Sequence, residues 1–559
     1  MTTTLTHLLH HHHQNIPERL AIVLQHAGQE DKLLTYDALM VGASRYARTY
    51  EREGLKPGEV VILILQHGED MIYSFWGAVL YGIIPSIMPF LTEKLSPEAY
   101  RADLSTLISI TKPVAIVTYL EFESEVRSAL RPDDSVRTVI ITNRIEPESK
   151  PDLEWLPGLK RSSEDIVLLQ HSSGTTGLQK GVALSHQAVL NQLDAYSKTL
   201  RLSNEDVVVS WLPLYHDMGL IAGFLLPILS GIPLVLLSPF DWVRAPHRLF
   251  QSVSEYKGTL SWLPNFSYNF CAQKVRARDM VGVDLSSWRI ITNCSEPVKW
   301  ESHQTFYNRF KEYGLRETAL QCGYAMAENV FGVTQTDPSS LPVLDEIDRE
   351  AYIIDRKALP AREGYPTLRM LSSGKALPNV QLRALGEKGQ ILPERAIGEL
   401  SIRSNCMLTE YYNRPDATEK AFRDGWYLTG DYGYTINGEI FVAGRKKDII
   451  IVGGKNVYPQ DLEALAYEVP GIHTGRAVAF GIYNEKTGTE DVVIVAEVNT
   501  DDLEKRQEIE NALRAHITKN SAIALRYAHI VSARWIIKTS SGKTARSANR
   551  EKFLKEIEL

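Results

Sequence analysis

Short, unbroken apolar runs alternate with helical stretches over the first 160 residues, and the alternation resumes from Ile166 to about Gly332. TYDALMVGASRYARTYEREG spaces its apolar residues as an amphipathic helix and closes on a glycine. VVILILQ reads as a buried strand. AVLYGIIPSIMPF reads as a helix end, a turn and a second strand, and KPVAIVTY and VRTVIIT as two more buried strands. Strands that are apolar on both faces need helices on both faces, which is the layering of largely parallel sheets. The predicted fold class is therefore α/β.

The pattern changes downstream. Thr336 to Thr367 is rich in Pro, Asp, Glu and Arg, with one short apolar core, AYII, and reads as an inserted excursion packed on the surface. From Arg369 to Val442 the runs LRML, VQLRAL, GELSIRS and EIFVAG are β-like. A small region follows from about Lys446. It opens on the strand DIIIVGG and holds two more, RAVAFGI and DVVIVAEV, and a charged helix, DDLEKRQEIENALRAHI. The expected division is a large N-terminal domain, residues 1–445, of stacked, mostly parallel sheets with a β-rich subdomain, and a small α+β C-terminal domain, residues 446–559. The boundary is expected at Arg445 to Asp448, and 336–367 reads either as a segment inserted into the large domain or as an ordinary surface loop.

Composition removes several classes. Lys and Arg number 61 against 68 Asp and Glu, a net charge of −7, so no basic face for nucleic acid is expected. Four cysteines, Cys271, Cys294, Cys322 and Cys406, form no C-x-x-C pair, which suits a reducing, cytoplasmic setting. MTTTLTHLLHHHHQ lacks the basic start and long apolar stretch of a signal peptide. Its His10 to His13 reads as a solvated helix start more readily than as a metal-binding tract. The most apolar stretch, Gly223 to Phe240, is broken by Pro227, Gly231 and Pro233, so it reads as a buried helix end, a turn and a buried strand rather than a transmembrane segment.

The sharpest chemical signal is IVLLQHSSGTTGLQKGVALSH. A buried strand runs into Ser172, Ser173, Gly174, Thr175, Thr176 and Gly177, then Lys180. Glycines let several backbone N–H groups turn toward one anion, hydroxyls add donors, and Lys180 adds a point charge. The spacing is not that of P-loop nucleotidases, because Lys180 follows Gly177 by three. Three weaker signals follow. Thr429-Gly430-Asp431 puts a carboxylate at a strand end, where it can accept from a ribose diol, although alone it reads equally as a turn. GRKKDIIIVGGKNVYPQDLE places Arg445 within reach of a ribose or phosphate, and Glu463 at a helix start. Lys543, in KTSSGKT near the C-terminus, is on a loop able to enter another domain's site, or is part of a frayed basic tail.

In order and context these four sites resemble the adenylate-forming superfamily of acyl- and aryl-CoA synthetases, luciferases and peptide-synthetase adenylation domains. The resemblance runs from TYDAL to KTSSGKTAR. It is narrower toward the fatty acyl-AMP ligases through LPLYHDMGL (Leu212 to Leu220), PNFSY (Pro264 to Tyr268), DLSSWR (Asp284 to Arg289) and VYPQDLE (Val457 to Glu463).

The resemblance implies ATP-dependent conversion of a carboxylic acid into an acyl-adenylate. The Ser172–Lys180 loop would hold the β- and γ-phosphates. Asn293, Cys294, Ser295, Glu296 and Pro297 match the adenine-edge segment. Within Tyr324, Ala325, Met326, Ala327 and Glu328, Tyr324 would pack on adenine and Glu328 would bind Mg²⁺. Asp431 and Arg445 would hold the ribose, Lys447 would be the hinge, Lys543 would bridge the carboxylate and α-phosphate, and His216 would meet the acyl carboxylate. Ala325 stands where the family usually has glycine, and Cys294-Ser295 where it often has Gly-Ala. Side chains added there would narrow the adenine slot.

Apolar stretches His216–Leu226 and Trp262–Phe270 are expected to line an acyl pocket for a fatty or other apolar acid. The expected acceptor is the phosphopantetheine thiol of an acyl carrier protein in trans, since no carrier-protein signature occurs in the chain. The alternative acceptor is CoA. A catalytically silent acyl- or nucleotide-binding homologue is the third reading, against which Lys180, Glu328, Asp431 and Lys543 are all retained.

Overall fold

The computed structural model describes residues 3–90, 97–146, 153–172, 180–452, 455–485, 487, 489–521, 523–539 and 543–557. The fold is mixed α/β, as the alternation requires. In one seven-stranded sheet, Ile166–Ser172, Ile84–Ile87, Val60–Ile64, Ala115–Thr118 and Thr138–Ile141 run parallel. Lys180–Ser185 and Glu410–Tyr411 extend it antiparallel at one edge. A second, fourteen-stranded sheet has a parallel half running from Leu20–Gln25 through Leu234–Leu237, Val208–Ser210, Leu260–Leu263 and Ile290–Asn293 to Leu320–Ala325. It continues antiparallel through Gly332–Gln335, Lys375–Ala376, Glu439–Arg445, Trp426–Ile436, Gly398–Ser404 and Val380–Leu385.

One apolar core joins both sheets, with Val61 and Leu63 from the first and Val209 and Leu260 from the second. Helices Tyr36–Arg52 and Glu69–Tyr81 pack into it at close range. A Cβ at Gly42 would strike the Tyr73 ring, and one at Gly77 the Ala43 carbonyl. The apolar Gly223–Phe240 stretch becomes the end of a π-helix (Met218–Leu225), a helix (Leu226–Ser230), a left-handed Gly231 and the strand Leu234–Leu237. Among the described residues no helix is long and apolar enough to cross a membrane. The histidine run lies in helix Leu5–Asn15, where His12 Nε2 is 2.9 Å from the Leu229 carbonyl.

A second core gathers Ile450, Val457, Leu462, Ile494, Leu513 and Leu525. Its sheet orders Ala477–Asn484, Thr489–Val498 and Leu525–Ser532, with helices Pro459–Tyr467, Leu503–Ser521 and Arg546–Glu556. The sequence reading finds the first two of these strands and the long helix, but not the third strand or the last helix. Their apolar residues are diluted by Arg526, His529, Arg550 and Lys552, so neither carries a clean period.

The 336–367 excursion is more than a surface loop. Leu344–Asp348 pairs antiparallel with Thr367–Leu371, and AYII coils into a π-turn. Tyr352 is 1% exposed and tilts against Tyr458 of the second core's flank, ring centroids 5.4 Å apart. Arg349 donates to the Asn520 carbonyl, and Lys299 Nζ lies 4.0 Å from Asp461 Oδ1. Ala351 and Tyr352 of this tetrapeptide are buried, Tyr352 against the C-terminal region, while Ile353 is half-buried and Ile354 exposed.

Candidate active site

The glycine-rich run lies in sequence between two paired strands. Ile166–Ser172 and Lys180–Ser185 are antiparallel, with Ser172 opposite Lys180. Ser173, Gly174, Thr175, Thr176 and Gly177 lie outside the described residues, as does the Ser172 side chain. Lys180 Nζ sits 4.4 Å from the centre of the Tyr411 ring, a cation–π distance. The Tyr411 hydroxyl donates to Glu328 Oε1 at 2.8 Å and is 2.9 Å from the Tyr427 hydroxyl. Glu328 rides a 3-10 turn, Ala327–Asn329, pinned where Leu408 N donates to the Glu328 carbonyl and Asn329 Nδ2 to the Gly332 carbonyl. The turn ends in Val330 at φ +63°, a costly conformation for a β-branched residue.

Beside it, the Tyr324 hydroxyl donates to Asp431 Oδ2 at 2.6 Å and Arg445 Nε lies 2.9 Å from Asp431 Oδ1. Asp431 N donates to Thr429 Oγ1 at 3.0 Å. Asp431 is not at a strand end, as the sequence suggests. It lies inside Trp426–Ile436, directly opposite Arg445, the last residue of Glu439–Arg445. The end that matters is that of the partner strand, which stops at the site. Burial raises Asp431 above the ordinary carboxylate value even though Arg445 and Tyr324 pull it back, and Asp431 in turn raises Arg445. An ionised carboxylate has about four acceptor positions, so two remain for a diol. Desolvation, then the Arg445 charge, lowers Lys447.

Asn293 to Pro297, expected at the adenine edge, begin at the end of the strand Ile290–Asn293. Asn293, fully buried, donates to Asn265 Oδ1 at 2.9 Å and lies 3.1 Å from His303 Nε2. Glu296 Oε2 accepts from Phe266 N at 2.9 Å. Ser295 is held at φ +70°, the region glycine would occupy without strain. Pro297 is exposed, whereas Met326 is buried and donates its N–H to the Phe331 carbonyl; Ala325 is half-buried.

Lys543 arrives from the second core on a short loop, where Thr539 N donates to the Lys543 carbonyl at 2.7 Å and Lys538 bridges Thr544. Its ammonium bears on His216, Asp217, Cys294 and Glu296 together. His216 is half-buried, and its Nε2 has no hydrogen-bond partner among the described residues. Burial, then Lys543, pushes its imidazole down to about 3, so it is neutral near pH 7. Burial raises Asp217 and Glu296 and pushes Cys294 up to about 12, leaving a thiol of low reactivity.

The structure thus links Tyr324, Asp431 and Arg445 in one set of contacts and Lys180 and Glu328, through Tyr411, in another, while the charge of Lys543 acts on His216, Cys294 and Glu296. Sequence reasoning misses Tyr411, Tyr427 and His303. Tyr411 reaches Glu328 across 83 residues of chain, and no motif spacing links them.

A family model described as AMP-binding enzyme matches residues 9–412. The medium-chain-fatty-acid acyl-carrier-protein ligase JamA of Moorena producens is 28% identical over 579 residues, 99% of this chain and 95% of its own. A Caulobacter vibrioides protein assigned as an acyl-CoA synthetase is 29% identical over 531 residues, 94% of this chain and 91% of its own. A structure from work on fatty acyl-adenylate ligases of E. coli and L. pneumophila superposes with a TM-score of 0.89 at 27% identity, covering 99% of this chain and 98% of that one. The chain belongs to the AMP-binding enzyme family and is an adenylate-forming ligase.

Proposed function

We propose that this enzyme activates a fatty or related apolar carboxylic acid as acyl-AMP and passes the acyl group to the phosphopantetheine thiol of an acyl carrier protein. The observation that carries the reading is Lys543, which lies between Leu525–Ser532 and Arg546–Glu556 in the C-terminal region and whose charge acts on His216, Asp217, Cys294 and Glu296 far earlier in the chain. The first step joins two anions. A carboxylate oxygen attacks the α-phosphorus, the bond to the β-phosphate oxygen breaks, and pyrophosphate leaves. Lys543 between the reactants offsets their repulsion and stabilises the charge of the transition state. Neutral His216 can orient the carboxylate by a hydrogen bond without competing for its charge. Tyr324 supports adenine, Asp431 and Arg445 hold the ribose, and Lys180 with the Ser172–Gly177 loop holds the outer phosphates. In the second step the thiol sulfur attacks the acyl carbon and AMP departs.

Glu328 offers one hard carboxylate oxygen next to Lys180, a donor that suits Mg²⁺ held mainly by phosphates. When bound there, the ion would neutralise the β- and γ-phosphates. Residues 1–445 and 446–559 would then be two domains turning about Lys447, with the 336–367 segment restraining the turn through Tyr352 and Arg349.

Support for the carrier acceptor comes from the activity named for JamA. The assignment of the Caulobacter relative favours CoA as a second reading. Acid-dependent release of pyrophosphate tests the first step; no release across a broad acid panel would leave a silent binding protein. Mass spectrometry of products with carrier protein or CoA tests the second, and rapid acyl-CoA formation would transfer the reading to a CoA synthetase.

A further inference from the structure

Behind the cleft lies a polar set that the adenylation chemistry does not use. Helix His186–Leu200 carries Gln192 and Tyr196, and the strand Gly332–Gln335 ends in Gln335. The Trp262 indole donates to the Tyr196 hydroxyl at 2.7 Å, and that hydroxyl donates to Gln335 Oε1 at 3.0 Å. Thr292 Oγ1 approaches the same oxygen at 3.4 Å. Two amides remain unsatisfied. Gln335 Nε2 and both amide atoms of Gln192 have no hydrogen-bond partner among the described residues, although the two side chains are 2% and 0% exposed. Buried amides without partners are rare because they forfeit their hydrogen bonds to water.

The set is adjacent to the reacting centre. Thr292 precedes Cys294 by two residues at the end of Ile290–Asn293. Side chains alternate along a strand, so Thr292 lies on the Cys294 side of the sheet, roughly 7 Å deeper. Trp262 is in register with Thr292, and Gln335 with Gly323. Strand positions nearest the set are glycines: a Cβ at Gly323 would lie 3.4 Å from Gln335 Oε1, and one at Gly332 would lie 3.5 Å from Gln192 Nε2. The Tyr196 hydroxyl is raised chiefly by burial, and Cys294 is among the groups acting on it. Cys294 in turn feels Lys543. The Ser295 hydroxyl lies 3.7 Å from Met218 Sδ, so the end of Ile290–Asn293 that leads into this set also adjoins the turn carrying His216 and Asp217.

We infer that the acyl group this enzyme activates carries a hydroxyl, aliphatic or phenolic, at the end remote from its carboxylate, received by Gln192 and Gln335. A hydroxyl answers both vacancies, since it accepts from Gln335 Nε2 or Gln192 Nε2 and donates to Gln192 Oε1. This rests on the adenylation reading. It adds that the inner end of the pocket is built to pair with oxygen, where a plain alkyl chain would leave both amides unmatched.

The test is initial-rate pyrophosphate release by the full chain over matched series: straight-chain acids, their ω-hydroxy counterparts and 4-hydroxyphenylalkanoic acids with their phenylalkanoic counterparts. Expected is a preference in kcat/KM of on the order of 10²-fold or more for one hydroxylated series over its deoxy match; which series wins separates alcohol from phenol. Gln335→Leu and Gln192→Leu should shrink that ratio while leaving turnover of deoxy acids unchanged or raised. Equal or better kcat/KM for deoxy acids in the wild-type enzyme would overturn the inference without needing either variant, and would leave adenylation standing. No release with any acid would remove the adenylation reading and this one with it.

Discussion

The two sides of the cleft are built differently. On the side proposed for the nucleotide, Tyr324, Asp431 and Arg445 are bonded in one set and Glu328, Tyr411 and Tyr427 in another. On the side proposed for the acid, His216 Nε2, Gln192 and Gln335 Nε2 have no hydrogen-bond partner among the described residues, and the cation, Lys543, comes from the C-terminal region. A nucleotide is the same in every turnover, so a site for it can be preorganised where the edges of two sheets meet. An acid and an acceptor must be admitted in sequence, so the groups meeting them are left open or placed on an element able to withdraw.

If that contrast is right, the largest loss should follow removal of the cation supplied from the second core. Lys543→Ala is expected to lower acid-dependent pyrophosphate release by ~10²–10³-fold, the scale of one transition-state charge contact, with ATP binding little changed. A near-normal rate would break the comparison. Asp431→Asn should come next and act on the other side. It removes the charge facing Arg445 and weakens a hydrogen-bonded pair, and charge-assisted bonds are worth about 1.5–3 kcal/mol. The KM for ATP should rise by roughly 10–100-fold, with a smaller change in kcat. An unchanged KM for ATP would mean that the buried carboxylate serves the fold alone.

This contrast also explains what the sequence discloses. Parallel strands buried on both faces announce themselves as unbroken apolar runs, so VVILILQ, KPVAIVTY and LVLL are legible as strands. Asp431 and Lys543 are legible because each sits in a short Gly- or Ser-containing motif whose order along the chain carries the family resemblance. Tyr411 and Tyr427 are not, because a tyrosine that supports a carboxylate through sheet geometry has no local pattern. Nor are Gln192 and Gln335. A glutamine in an otherwise apolar helix or strand reads as a solvated position, and only burial in the packed structure reveals the unpaired amides. The 336–367 segment is half legible: its composition marks it as an excursion, but the contact of Tyr352 with Tyr458 depends on two surfaces meeting.

That contact yields a smaller prediction. Tyr352→Ala with Arg349→Ala removes an aromatic pair and an N–H donor between the insert and the C-terminal region. An aromatic pair is worth about 0.5–1.5 kcal/mol beyond the area it buries, so adenylation should fall only a few-fold. If the insert restrains the swing, acyl-CoA formation should rise over the wild-type background in the same variant, read by mass spectrometry. Unaltered product ratios would assign the contact to stability alone.

The smallest effect sharpens the acyl side. An ordinary histidine protonates near pH 6.5, and a charged imidazole beside Lys543 would make a two-cation site whose rate breaks near that pH. His216 is instead held down at about 3, chiefly by burial. Because its value is lowered, the neutral form persists as pH falls through 6.5 and is lost only near 3. The kcat for pyrophosphate release should therefore show no inflection from His216 between about pH 5 and 8. His216→Gln, which keeps a neutral donor and acceptor, should give a profile of the same shape at a few-fold lower rate. A wild-type inflection near pH 6.5 that disappears in His216→Gln would show that the imidazole acts as a cation, and the acyl side would then be as fully charged before binding as the nucleotide side.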